Sequence, residues 1–249
     1  MDIYQKSRIK HVEAASEVCS DKYRFVSSQD IINKIEKAGL VHLGTSWQNL
    51  RTNAENRKGQ QKHVMAFGKE SGDGVRLLVT NGHEGRNALK FDIGYFRAVC
   101  ANGLVVGKSV WSHRHCHRKR LRINNIVDEA MDNSLTILTN IERMQNQVCG
   151  PASKSALIAS LSALRNHEIR TESLVAQRRA DKPDDLWTQF NLIQEYALRG
   201  GYEHYILDEE GSRKTKNGEF KLRTGQPINS LEKQFKTNAR LWEKAMELV

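Results

Sequence analysis

The densest chemistry in the sequence lies in residues 110–123, VWSHRHCHRKRLRI. This stretch holds three histidines, one cysteine and five arginines or lysines, and no carboxylate occurs between Lys108 and Asn125. Histidine and cysteine bind metals, imidazole acts as a general base, and clustered cations contact phosphate. The stretch could therefore grip a metal, help to cut a substrate, or lie against a polyanion.

The metal hypothesis depends on strand geometry. Alternate residues of a β-strand share a face, so His113, His115 and His117 could meet one zinc or manganese ion. Metal ligands must be deprotonated and are usually oriented by carboxylates, whereas these histidines stand among cations. Only distant acids such as Asp92 or Glu84 could supply that support. A metal site, and with it a metal-dependent nuclease, remains the less favoured alternative, and we predict no cofactor.

Contact with nucleic acid fits the same stretch with fewer assumptions. Fixed cations bind phosphate oxygens, and an aromatic ring can stack on an unpaired base for about 1–3 kcal/mol. An arginine within the apolar run of residues 89–99 could face a phosphate from the sheet or pair with Asp92. The alternative is a solvated basic loop with the tryptophan in the core. The predicted nucleic-acid-binding residues are Arg97, Lys108, Trp111, Arg114, Arg118, Lys119, Arg120 and Arg122.

Other candidate catalytic groups are sparse. His83 in TNGHEG could act as a general base beside Glu84, but a tight turn explains the glycines and asparagine more simply. The sequence has no Walker loop, GxGxxG, nucleophile elbow or HExxH motif. We therefore predict no catalytic residue and expect a binding protein rather than an enzyme.

Composition indicates a folded protein with a polyanionic partner. The 249 residues carry a net charge of +10, and 22 cations against 11 carboxylates place all of that excess in residues 1–125. The four cysteines are widely spaced without a CxxC pair, and no apolar run is long enough to span a membrane. The first residues lack the apolar core of a signal peptide, so we expect a cytoplasmic protein without a membrane partner.

The sequence pattern of the first half of the chain predicts a sheet. SSQDIINKIEKAG is typical of a short amphipathic helix that begins after Ser27 or Ser28 and ends at Gly39. Asn102-Gly103 predicts a two-residue hairpin turn, because this pair readily adopts positive φ. Short apolar or alternating runs separated by glycine-rich turns predict strands at LVHL, KHVMAFG, GVRLLVT, LKFDIGYFRAV and GLVVGKSV.

The second half changes to helical spacing. Four segments with apolar residues three or four apart begin near residues 124, 153, 184 and 229. Residues 203–227 predict an exposed charged hairpin or loop. We therefore predict the α+β class, with a basic, sheet-rich domain of antiparallel hairpins over residues 1–125. A mainly helical region over residues 126–249 follows, packed on the first as one compact unit or separate from it.

Several phrases resemble a known family. YRFVSSQDIINKIEKAGL, VTNGHEGRNALKFDIGYFRAVCANGLVVG and LWTQFNLIQEYALRGG are similar to the phage/plasmid-like proteins of domain of unknown function 932. Gly82 and Glu84 depart mildly from the serine and aspartate usual there. The resemblance covers about Tyr23 to the end and implies a mobile-element origin, without implying a reaction. The order of elements in the first half is also similar to that of single-strand annealing proteins, which form rings, so a homo-oligomer is possible.

Three functions remain, of which the first is preferred. The first is a nucleic-acid-binding protein of a phage or plasmid that prefers single-stranded DNA or structure and acts in replication, recombination or annealing. The second is an inhibitor that binds a host defence protein. The third is the metal-dependent nuclease. The first two need only a basic surface, so the sequence does not separate them.

Overall fold

The computed structural model describes residues 10–48, 57–69, 74–97, 102–113, 115, 122–216 and 219–249. The chain divides into two compact units, Met1–Ile137 and Leu138–Val249. The α+β prediction is confirmed, with an antiparallel sheet in the first half and helices in the second. None of the helices in these ranges combines the length and apolar character that a membrane span requires.

Unit 1 contains a short helix, a five-stranded antiparallel sheet whose strands lie in chain order, and the first part of a second helix. The predicted strand runs are confirmed. β2 is buried along its whole length, and its neighbour β3 is buried over most of its own. The elements are α1 Ser28–Lys37, β1 Val41–Trp47, β2 His63–Gly68, β3 Gly74–Asn81, β4 Leu89–Arg97 and β5 Asn102–His113.

Helix α1 begins and ends where the sequence predicts. The Ser27 side chain accepts a hydrogen bond from the Asp30 amide, which satisfies one of the unpaired amides of the first turn. Ile31, Ile32 and Ile35 are buried, and the helix contacts β1. Because Ser27 provides the cap, the next residue, Ser28, is free to face the protein interior.

The hairpin between β4 and β5 is confirmed, but the predicted position of its turn was wrong. Asn102 pairs with Arg97 and Gly103 with Phe96, so both residues of the Asn-Gly pair belong to β5. Residues 98–101, which link the two strands, lie outside the described ranges. Strand pairing therefore takes precedence over the local preference of Asn-Gly for a primed turn.

Antiparallel pairing brings five strand termini to one end of the sheet. Trp47 pairs with His63, His63 with Asn81, and Leu89 with His113. We call this the histidine end, defined by Trp47, His63, Asn81, Leu89 and His113. The chain leaves β5 there, so the basic stretch predicted to bind nucleic acid starts at the histidine end.

Unit 2 contains a helical core and two small sheets. Phe190 packs against Trp187 and Trp242, and Gln194 donates a hydrogen bond to Asn238, which joins α4 to α5. The boundary between the units falls within α2. The remaining elements are α2 Ile123–Gln145, α3 Pro151–Arg165, β6 His167–Ile169, α4 Leu186–Arg199, β7 Glu203–Ile206, β8 Thr215–Lys216, β9 Glu219–Phe220, β10 Leu222–Thr224 and α5 Leu231–Met246.

The segment predicted as an exposed hairpin or loop contains more order than its sequence indicates. β7 pairs with β6 on one side and β10 on the other, and β8 pairs with β9. These strands are two to four residues long, too short for alternation of apolar and polar residues to identify them.

Two consecutive glycines at the end of α4 offer a matched test of this packing. Gly200 and Gly201 both have positive φ, +78° and +87°, but a Cβ on Gly200 would lie 2.4 Å from the Gly225 carbonyl oxygen, whereas one on Gly201 would meet nothing within 4 Å. We expect Gly201→Ala to cost about 1 kcal/mol of strain and Gly200→Ala about 2–4 kcal/mol through the added clash. Urea unfolding of both variants measures the difference, and equal losses would contradict it.

Candidate functional site

The histidine end buries a group of rings that come from distant parts of the sequence. His63 lies at the start of β2, Trp47 at the end of β1, His83 in the loop after β3 and His11 in the segment before α1. The ring centroid of His63 is 4.4 Å from that of Trp47, 5.1 Å from that of His11 and 5.5 Å from that of His83. We call these four residues the histidine cluster.

Ser28 links the cluster to helix α1. Its side chain has no exposed surface, and its Oγ lies 2.8 Å from Nε2 of His63 and 3.3 Å from Nε2 of His83. Asn81 donates a hydrogen bond of 2.9 Å to the same oxygen. One serine hydroxyl thus ties together the first turn of α1, the start of β2, the end of β3 and the following loop.

The carbonyl of Gln61 fixes the direction of these hydrogen bonds. It lies 2.9 Å from Nδ1 of His63, and because a carbonyl only accepts, this nitrogen carries the proton. Nε2 of neutral His63 is therefore an acceptor, to which the Ser28 hydroxyl donates. Nε2 of His83 must then donate to Ser28, which leaves Nδ1 of His83 as a buried acceptor with no hydrogen-bond partner among the described residues.

The pair formed by Ser28 and His63 has the polarity of a nucleophile and its base, with the Gln61 carbonyl orienting the imidazole. A nucleophile must reach a substrate, however, and both side chains have no exposed surface. In this conformation the pair is a buried structural junction.

Burial keeps the cluster neutral. The pKa of His63 is lowered to about 3, and the pKa values of His11 and His83 are lowered to about 4. Burial is the largest cause, and neighbouring histidines contribute to these values. At neutral pH these three imidazoles carry no charge. They serve as hydrogen-bonding and packing groups rather than as cations for phosphate.

His115 ties the start of the basic stretch to the segment before α1. Its carbonyl accepts a 2.6 Å hydrogen bond from the Arg24 amide, and its Nδ1 donates a 3.0 Å bond to the Arg24 carbonyl. Its ring stacks on Tyr23 with centroids 4.8 Å apart. His115 is also buried, so both its backbone and its side chain hold this part of the chain in place.

The strand geometry proposed for the three histidines is not met. β5 ends at His113 and residue 115 lies in a turn, so His113 and His115 do not lie on one continuous strand. The side chain of His113 and all of His117 lie outside the part of the chain that the structure describes. Within the described ranges, no group of three histidine, cysteine or acidic side chains could hold a metal ion.

The structure describes only part of the predicted nucleic-acid-binding set. Arg122 is exposed immediately before α2. The backbones of Arg97, Lys108 and Trp111 lie on β4 and β5, but their side chains are not described. Four further members of the set lie outside the described ranges: Arg114, Arg118, Lys119 and Arg120.

The turn interpretation of TNGHEG is supported, although His83 also has a second role. Asn81 accepts a hydrogen bond from the Gly82 amide, and Gly85 has a φ of +73°. The His83 ring then enters the cluster and contacts Phe25. Sequence reasoning missed Ser28, His63 and His11, because they meet only through tertiary contacts of α1 and of the segment before it with the start of β2.

An open pocket of about 350 Å³ borders the same loop. Across it, Arg57 donates two hydrogen bonds to the carboxylate of Glu84, which is almost fully buried. Charges of both signs line the pocket, so it has no strong preference for an anion or a cation. Its lining consists of Ser16, Glu17, Val18, Arg57, Gln60, Glu84 and Arg86.

The fold and site define a two-unit α+β protein whose first sheet ends in a buried histidine cluster. The family model for domain of unknown function DUF932 matches residues 15–242, and the chain belongs to this family. It is 26% identical to UPF0380 protein YfjQ and 25% identical to UPF0380 protein YafZ, both of Escherichia coli strain K12. Each comparison covers 92% of this chain and 84% of the relative. No solved structure matches the chain.

The junction at Ser28 predicts a stability effect. Ser28→Ala removes the partner of the buried Nε2 of His63 and one of the two acceptors of the Asn81 side-chain amide, which also donates to the Val26 carbonyl, so we expect a loss of about 1–3 kcal/mol in the free energy of unfolding. Ser112→Ala, at an exposed serine of β5, is the control and should change it by less than about 0.5 kcal/mol. Urea unfolding followed by circular dichroism measures both, and equal effects would contradict the junction.

The lowered pKa values predict a loss of stability in mild acid. The unfolded chain binds protons at histidine near the ordinary pKa of 6.5, whereas the folded cluster binds them only near pH 4 or below. Stability contributed by the neutral imidazoles is therefore complete above pH 6.5 and falls as the pH drops toward 4. Urea unfolding at about pH 7.5 and pH 5 should show this fall.

Replacement of one histidine of the cluster shows which residue contributes to the pH dependence of the unfolding free energy. In His83→Gln, the difference in unfolding free energy between those two pH values should shrink by about 1–2 kcal/mol, because one buried titrating group has been removed. A variant with the same pH dependence as the wild type would contradict the assignment of the effect to His83.

Proposed function

We propose that unit 1 binds nucleic acid, with a preference for single strands, through the basic stretch 114–122 and exposed cations at the histidine end of the sheet. The observation that carries this proposal is topological: β5 delivers the chain into the basic stretch at the end where other cations collect. The setting that fits best is replication, recombination or annealing by a phage or plasmid protein in the cytoplasm of a bacterial host.

Several described cations lie close in the fold to the start of this stretch. Arg24 is joined to His115 by two hydrogen bonds, Lys90 follows Leu89, which pairs with His113, and Arg86 lies in the loop after His83. The side chains of all three cations are exposed. They extend the positive surface beyond the contiguous sequence that first indicated it.

These cations are not committed to carboxylates. Within the described part of the chain, Arg24, Arg86, Lys90 and Arg122 form no ion pair. A cation already paired with a carboxylate must give up that contact before it can bind phosphate, whereas an exposed unpaired cation only releases its counterions. These cations at the histidine end can therefore bind phosphate without first breaking an ion pair.

Unit 2 uses its arginines differently. Arg170 pairs with Glu203, Arg178 and Arg199 share Glu195, and Arg213 pairs with Glu168. Four described arginines of unit 2 are thus neutralised by local carboxylates. The contrast supports placing the principal phosphate contacts in unit 1.

The register of β4 and β5 also supports access of a ligand to the start of the basic stretch. Lys90 pairs with Ser112, and both residues are exposed. Directly opposed residues of antiparallel strands point to the same face, so the last exposed position of β5 lies beside a cation. β5 is also an edge strand of the sheet, which leaves its outer side without a neighbouring strand among the described residues.

The binding test uses fluorescence anisotropy of labelled single- and double-stranded DNA and RNA at low and moderate salt. We expect tighter binding to single strands and a steep loss of affinity with salt. Arg118→Ala/Arg120→Ala and Arg86→Ala/Lys90→Ala should each weaken binding roughly tenfold and reduce the salt slope by about 1.4, or 0.7 per lost phosphate contact.

The control variant is Lys182→Ala/Lys236→Ala, which removes the same charge from exposed positions of unit 2. It should bind like the wild type, because its cations lie outside the proposed surface. Absence of binding at low salt, or equal weakening by all three variants, would contradict the proposal.

A further inference from the structure

The three-stranded sheet of unit 2 has one covered face and one open face. On the covered face Ile169 and His204 are buried, and α3 contacts β6. On the open face, register aligns Glu168, Tyr205 and Leu222 in one row across β6, β7 and β10. Leu222 is 42% exposed, so no element of the described chain covers that end of the row.

An aromatic group projects from this open face. Phe220, on the adjoining strand β9, is 55% exposed and meets Tyr205 edge to face with ring centroids 6.0 Å apart. The Arg213 guanidinium lies 4.2 Å from the centre of the Tyr205 ring and 5.4 Å from that of Phe220. We call Tyr205, Arg213, Phe220 and Leu222 the open aromatic face.

Arg213 makes this group rigid. It donates hydrogen bonds from Nε, at 2.6 Å, and from Nη2 to the two oxygens of the Glu168 carboxylate. A guanidinium held in this way stays in the plane that contacts both rings. The Phe220 ring is therefore positioned before any ligand arrives, although more than half of it faces solvent.

The surrounding charge identifies the chemistry of the partner. Residues 213–223, RKTKNGEFKLR, contain five cations and one carboxylate, and the cations alternate with Phe220 and Leu222. Lys214 and Arg223 are exposed. Arg213 is matched to a carboxylate outside the segment, Glu168, whereas Lys214 and Arg223 form no ion pair with the described residues, so positive charge remains around the ring.

We propose that the open aromatic face binds single-stranded nucleic acid by stacking an unpaired base on Phe220, while Lys214 and Arg223 contact the adjacent phosphates. Every base has a flat π face, so a projecting ring flanked by cations accepts single strands of any sequence. A duplex keeps its bases stacked on one another and offers no such face. This inference rests on the proposed function and adds a second contact region, in unit 2.

Two substitutions separate stacking from simple apolar contact. Phe220→Leu keeps an apolar side chain but removes the ring, whereas Phe220→Tyr keeps the ring. We expect the first to weaken binding of a labelled single-stranded oligonucleotide by about 5- to 150-fold, the range for one stacked base, and the second to leave it nearly unchanged. Val175→Ala, at an exposed apolar residue elsewhere in unit 2, is the control.

A crosslinking measurement gives an independent readout on the full chain. Irradiation of a complex with an oligonucleotide containing 5-iodouracil, followed by mass spectrometry of peptides, should place adducts in residues 203–224. Urea unfolding and circular dichroism of Phe220→Leu should match the wild type, because the ring is largely exposed and a change in folding would otherwise mimic a change in binding.

The outcomes distinguish this inference from the proposed function. If the wild type binds and Arg118→Ala/Arg120→Ala weakens it, but Phe220→Leu binds normally and no adduct forms in residues 203–224, only the stacking inference is overturned. Such a face would then suit a protein partner. If the wild type binds no oligonucleotide at low salt, both proposals are overturned.

Discussion

The organisation of unit 1 depends on one buried hydroxyl group. Ser28 donates to His63 and accepts from Asn81 and His83, so a single oxygen satisfies polar groups from β2, β3 and the loop that follows. Buried polar groups are costly unless they are paired, and a network in which each member holds the next favours one arrangement over its competitors. Loss of the Ser28 hydroxyl would remove a partner from His63, His83 and Asn81 at once, and this explains why the histidine end has a defined geometry.

That geometry determines where the basic stretch leaves the sheet. The cluster fixes the termini of β2 and β3, and β4 and β5 are positioned by antiparallel pairing next to β3. After β5, His115 is hydrogen-bonded to Arg24. The neutral histidines form the rigid support, while arginines and lysines on the surface carry the charge. A division of this kind suits binding of a polyanion, because the positive groups remain solvated and available.

The sequence predicted the elements with strong periodicity and failed where distant residues meet. Capping at Ser27 and the apolar face of α1 are local features, and the structure confirms them. Asn102-Gly103 misled the prediction of the turn because strand register, a nonlocal property, places both residues in β5. The cluster was missed for a similar reason: 35 positions separate Ser28 from His63, and neither position has an unusual local pattern.

The most direct test of the account is lysine-modification footprinting of the full chain with and without a single-stranded oligonucleotide. If the histidine end is the principal binding surface, Lys90 and Lys119 should lose reactivity on binding, and so should the exposed Lys58, whose neighbour Arg57 pairs with Glu84 beside His83. Lys182 and Lys236 in unit 2 should react as before. Unchanged reactivity of Lys58, Lys90 and Lys119 under conditions where the oligonucleotide is bound would contradict the account.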